Sequence, residues 1–76
     1  MVVVYSVEEC PWCHKVKRYL DSKQVEYEER NIDYNEDYYN ACVKLSGDSM
    51  VPVTTIDHEE YVVGFDKKKL DELLCL

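Results

Sequence analysis

Seventy-six residues make one small domain, too short for a second, and a core of that size supplies only a few kcal/mol of net stability. Sixteen acidic against nine basic residues give a net charge of −7, which repels a phosphate backbone and speaks against nucleic acid as a partner. No run approaches the roughly 20 apolar residues that cross a bilayer, and Met1-Val2-Val3-Val4-Tyr5 lacks the basic region and cleavage site of a leader, so a cytoplasmic protein with no membrane role is expected.

In chain order, Val2 to Ser6 is a continuous β-branched and aromatic run, as in a central strand buried on both faces. From Pro11 to about Lys23 the apolar residues Val16, Tyr19 and Leu20 recur at helical spacing, with Lys15, Lys17, Arg18 and Asp21 on the opposite side. Val25 to Tyr27 begins an alternating strand that runs on to Ile32 and looks like an edge. Asn35 can cap a second helix that Ser46-Gly47 stops. Val53 to Ile56 and Tyr61 to Val63 flank the polar segment Asp57 to Glu60 as a hairpin, and Asp66 can cap a last helix through Leu70, Leu73 and Leu74. The order βαβαββα predicts an α/β domain with a four-stranded mixed sheet flanked by three helices.

The chemistry sits at the first strand-to-helix junction, in Cys10-Pro11-Trp12-Cys13. Pro11 suits the first helical position, where a missing N–H costs nothing, so Cys10 takes the N-cap and Cys13 falls within the first turn. Unsatisfied N–H groups and the positive end of the helix dipole stabilise a thiolate there, which makes Cys10 the candidate nucleophile of a dithiol couple. In a reducing cytosol a CxxC beside a βα pattern points to redox catalysis rather than to a structural bridge.

With that motif in place the chain resembles the thioredoxin fold in its smallest form. More closely it resembles the glutaredoxins, especially the short bacterial glutaredoxin-like redoxins. Tyr5, Cys10-Pro11-Trp12-Cys13-His14-Lys15, Ser46-Gly47, Val51-Pro52 and Gly64-Phe65-Asp66 carry the resemblance. It implies that Cys10 attacks a disulfide and that Cys13 resolves the mixed disulfide. It also implies a cis bond at Pro52, with the Val51 backbone pairing to an extended substrate, and a site at Gly64, Phe65 and Asp66 for the γ-glutamyl carboxylate of glutathione. Trp12 and Lys15 complete the implied substrate-binding set. Glutathione is then a co-substrate, no cofactor is bound, and disulfide-containing proteins are the substrates of a monomeric thiol-disulfide oxidoreductase.

Three positions depart from the family. Val7 stands where a basic residue commonly meets the glycine carboxylate of glutathione, and Val63-Gly64 replaces a frequent Gly-Gly pair. These changes favour the alternative that a flavoprotein reductase, rather than glutathione, supplies the electrons. Gln24 stands where glycine often ends the helix, a cost of about 1 kcal/mol if the backbone is left-handed there.

Elsewhere, Cys42 reads as a small core residue and Cys75 as an exposed thiol near a fraying end. One CxxC with two distant cysteines falls short of paired zinc motifs, and a metal or iron-sulfur carrier is the lesser reading. His14 and His58 read as solvated, the tyrosines as packing around a small core, and Lys15, Lys17 and Arg18 either as a locally positive field near the thiols or simply as the solvated face of the first helix.

Overall fold

The computed structural model describes residues 1–76. Its elements are β1 (Val2–Ser6), α1 (Pro11–Ser22), β2 (Tyr27–Asn31), α2 (Glu36–Ser46), β3 (Val53–Thr55), β4 (Tyr61–Val63) and α3 (Lys67–Leu74). The sheet order is β2-β1-β3-β4, with β1 parallel to β2 and antiparallel to β3, and β3 antiparallel to β4. This is the mixed sheet of a minimal thioredoxin fold.

Alternation along β1 divides the core into two layers. Val3 and Tyr5 meet Ile32, Cys42 and Val53 beneath α2, while Val4 meets Val16, Leu20, Val62 and Leu70 beneath α1 and α3. Buried on both sides, β1 is the strand to which the rest of the molecule is fixed.

The helix ends follow their caps. The Asn35 side chain accepts from the N–H groups of Asp37 and Tyr38, and Gly47, at φ 79°, closes α2 in the left-handed conformation that glycine adopts without steric cost. The Asp66 carboxylate accepts from the N–H of Lys69 to open α3.

Three strand boundaries differ from the sequence reading, the first being that β2 ends at Asn31, one residue short of Ile32. Val25 and Glu26 do not join β2, because the Val25 N–H still bonds the Leu20 carbonyl at 2.9 Å and closes the end of α1. β3 stops at Thr55, one residue early, where its hydroxyl donates to the Glu60 carbonyl and accepts from the His58 N–H to form the turn. The tyrosines also divide differently. Tyr5 is buried and Tyr38 packs on the core, whereas Tyr34, Tyr39 and Tyr61 are exposed. Cys42 is fully buried, and desolvation pushes its thiol pKa up, as suits a core residue.

Gln24 has φ 57°, a left-handed conformation that side chains with a Cβ disfavour. Gln24→Gly is expected to stabilise the fold by up to about 1 kcal/mol, raising the thermal midpoint by a few degrees in a scanning calorimeter. A lower midpoint would show that the Gln24 side chain contributes more than its backbone costs.

Candidate active site

Three chain segments converge at one end of the sheet. The segment after β1 carries Cys10. β3 runs antiparallel to β1 with Val53 opposite Tyr5, so the residues before β3, Val51 and Pro52, lie at that same end. β4 returns antiparallel with Val63 opposite Val53, which brings Gly64, Phe65 and Asp66 there as well.

Cys10 is the N-cap of α1, with extended φ and ψ of −140° and 100° and Pro11 at the first helical position. Its Sγ accepts a hydrogen bond from the Cys13 N–H at 3.1 Å, and the His14 N–H bonds the Cys10 carbonyl. The Cys10 and Cys13 sulfurs are in bonding contact, with the two Cα atoms 5.2 Å apart. Only Cys10 touches solvent, at 7% exposure against 0% for Cys13. An incoming disulfide therefore meets Cys10 first, and Cys13 can react only with what Cys10 has bound.

The Val51-Pro52 peptide bond is cis, and the Gly64 N–H donates to the Pro52 carbonyl at 2.8 Å, tying the two loops together. Val51 lies outside every element and enters no backbone hydrogen bond, so its N–H and C=O are available to an extended chain. Gly64 has φ 79°, which explains a glycine at that turn.

An open groove of about 390 Å³ runs beside these segments, lined by Trp12, Met50, Val51, Val63, Gly64, Phe65 and Asp66. Five of the seven residues expected to touch substrate line it. Pro52 is buried beneath it, and Lys15 stands over the Trp12 ring with Nζ 4.2 Å from the centroid. Trp12 itself is 54% exposed. Met50 also lines the groove, and its place directly before Val51-Pro52 is the sequence signal for it. Val7 does not line the groove, since its side chain packs on the core layer under α2.

The positive field expected from Lys15, Lys17 and Arg18 is reduced by one long-range contact. Lys17 Nζ lies 2.6 Å from a Glu29 carboxylate oxygen on β2, which also accepts from the buried Ser6 hydroxyl at 2.8 Å. The Lys17 ammonium and then the Ser6 hydroxyl hold the Glu29 carboxyl below its ordinary pKa, against partial desolvation. This arrangement anchors α1 to the end of β1, one helical turn beyond Cys13. His58 is also less idle than its loop position suggests. Its Nε2 lies 2.7 Å from the hydroxyl of buried Tyr5, which also accepts from Arg30. No group of three or more His, Cys, Asp or Glu side chains comes together in a way that could hold a metal ion.

The glutaredoxin family model matches residues 2–62. A glutaredoxin-like 8.6 kDa protein encoded in the rubredoxin operon of Clostridium pasteurianum is 38% identical over 74 residues, covering 97% of each chain. Glutaredoxin 3 of Escherichia coli K12 is 38% identical over 65 residues, covering 86% of this chain and 77% of that protein. The crystal structure of a glutaredoxin from Methanosarcina mazei Go1 superposes with a TM-score of 0.90 at 26% identity, over 99% of this chain and 78% of that one. A dithiol at a helix N-terminus, a cis-proline beside it and sequence similarity across almost the whole chain agree: this chain is a member of the glutaredoxin family, a glutaredoxin-like thiol oxidoreductase.

Proposed function

We propose that this protein reduces disulfides of proteins, and mixed disulfides with glutathione, by cycling the Cys10-Cys13 pair. The observation that carries the reading is the placement of Cys10 Sγ at the α1 N-cap, accepting the Cys13 N–H and in contact with Cys13 Sγ. In the first step the Cys10 thiolate attacks one sulfur of the substrate disulfide. A bond forms between Cys10 and that sulfur, and the other substrate sulfur leaves as a thiolate. The Cys13 thiolate then attacks Cys10 Sγ, closing the Cys10-Cys13 disulfide and expelling the second substrate thiolate. Two electrons have passed from the dithiol to the substrate.

The groove positions the substrate for that attack. Free backbone groups at Val51 pair with an extended segment, Trp12 and Phe65 flank it with apolar surface, and the turn at Gly64 keeps the backbone close. Glutathione resets the couple in this reading. One glutathione thiolate attacks Cys10 Sγ and frees Cys13, and a second releases the first as glutathione disulfide.

A second reading, in which a flavoprotein reductase resets the couple, is favoured by two valines. Val7 packs against the core and supplies no cation for a glutathione carboxylate, and Val63 adds a branched side chain to the groove wall. A coupled NADPH assay decides between them, run once with glutathione and glutathione reductase and once with a thioredoxin reductase-type flavoprotein. Neither arm turning over a protein disulfide would sink both readings.

Val63→Gly tests the groove wall on its own. If the valine crowds glutathione, removing it recovers about 1 kcal/mol of binding, roughly a fivefold gain in kcat/KM on a glutathione mixed disulfide. A parent protein that already saturates at low glutathione, with no gain in the variant, would leave glutathione as the reductant and Val63 without influence.

A further inference from the structure

The charge of this molecule is unevenly divided between the helices α1 and α3 and the rest of the chain. Lys15, Lys17 and Arg18 on α1, Lys23 at its C-cap, and Lys67, Lys68 and Lys69 on α3 account for seven of the nine basic residues. The same two helices and their caps hold only four of the sixteen acidic residues, Asp21, Asp66, Asp71 and Glu72. The helix layer over Val4 is therefore net positive by three in a protein of net charge −7, and the rest of the molecule carries −10.

Local contacts leave the cations of this layer free. The two ion pairs in the structure are Lys17 with Glu29 and Arg30 with Glu28, so six of the seven basic groups have no carboxylate partner. Two of the four acids are instead held by the fold: Asp66 accepts from the Lys69 N–H, and Asp71 accepts from the Tyr19 hydroxyl. Lysines also lie over the aromatic rings of α1. Lys15 Nζ is 4.2 Å from the Trp12 centroid, and Lys23 and Lys67 lie 5.8 Å and 5.9 Å from that of Tyr19. The face begins at Trp12, between the two reactive cysteines, and runs along α1 beside α3.

We propose that this α1/α3 face docks an acidic segment of the disulfide-bearing protein substrate, holding it while the substrate's cystine reaches Cys10. The inference rests on the disulfide-reductase reading and adds the chemistry of the substrate. Opposite potentials on two surfaces raise the encounter rate and orient the partner, and here the orientation places the attacking sulfur at the edge of the attractive face. A short acidic segment fits this face alone. An extended polyanion such as a nucleic acid would also meet the −10 remainder, which repels it.

The test uses the pre-reduced full chain in single-turnover mixing with three peptide disulfides. They share a neutral core around the cystine and carry acidic, neutral or basic residues outside it. At low ionic strength the acidic peptide is expected to react about tenfold faster than the neutral one and the basic peptide slowest, with the differences closing at 0.5 M salt. Arg18→Glu with Lys23→Glu and Lys68→Glu should remove or reverse that order while the neutral peptide reacts as before. The corresponding glutamine variant, which adds no like-charge contacts, should give an intermediate order and serves if the reversal does not fold. Equal rates for the three peptides, or a fastest basic peptide, would overturn the docking face and leave the reductase reading standing. No reaction with the neutral peptide, with both thiols titratable, would overturn the reductase reading itself. A labelled single-stranded oligonucleotide that binds the parent more tightly than the acidic peptide would overturn the assignment to a protein segment.

Discussion

Cys10→Ser is expected to abolish disulfide reduction, whereas Cys13→Ser should retain the attack and accumulate the mixed disulfide. The asymmetry follows from geometry. Cys10 is the only one of the pair in contact with solvent, and it occupies the N-cap, where the Cys13 N–H and the helix dipole stabilise negative charge on sulfur. A serine hydroxyl at the same place keeps the hydrogen bond but is not ionised near neutral pH. Loss of a nucleophile of this kind lowers the rate by on the order of a thousandfold or more. Cys13 is fully buried against the first turn, so its removal leaves the first attack intact and blocks only internal release. Stopped-flow fluorescence of Trp12 should show normal bimolecular kinetics for Cys13→Ser, and intact-mass measurement should show one substrate chain bound through sulfur. Equal loss of the first phase in both variants would contradict these roles. Added glutathione should rescue turnover in Cys13→Ser only if it can attack the mixed disulfide, at either sulfur, so the same variant also reports on the access of glutathione to the site.

The site was legible where its geometry is local. A cysteine followed by proline at a strand-to-helix junction dictates its own cap and exposure, and Asn35, Gly47 and Asp66 likewise set their helix ends within a few residues. What the sequence hides depends on register. Glu29 stands opposite Val4 in the parallel pairing and so reaches both Ser6 and Lys17, a link that no window of neighbouring residues contains. The hydroxyl of Tyr5 meets His58 across 53 positions for the same reason. Val25 and Glu26 alternate like a strand, but the left-handed turn at Gln24 makes Val25 the last hydrogen-bond donor to α1. The division of charge is the largest feature of this kind. The lysines of α3 follow those of α1 by more than forty residues and join them only because both helices pack on Val4's side of the sheet.

That packing makes Leu20→Ala a strongly destabilising change to the fold. Leu20 is fully buried near the end of α1, in one layer with Val4, Val16, Val62 and Leu70. Removing its three outer carbons forfeits their transfer free energy and leaves a cavity that neighbours fill only in part, a cost of about 2 to 5 kcal/mol. A chain of 76 residues at roughly 0.05 to 0.15 kcal/mol each holds about 4 to 11 kcal/mol in total. The variant therefore loses a large share of its stability, and its thermal midpoint should fall by about 10 to 30 °C. Tyr34→Phe, at a tyrosine 73% exposed, provides the contrast and should move the midpoint by no more than a few degrees. The Leu20 carbonyl accepts the Val25 N–H, so the end of α1 should loosen first, which faster amide exchange at Lys23 to Val25 would register. Cys10 lies at the other end of the helix, held by Pro11 and its own cap. Well below the lowered midpoint, the attack rate of Leu20→Ala should therefore stay within about threefold of the parent. A midpoint shift below about 3 °C would mean that the two helices do not depend on this contact. A collapse of the attack rate in the fully folded variant would instead tie the reactivity of Cys10 to how firmly α1 is seated on the sheet.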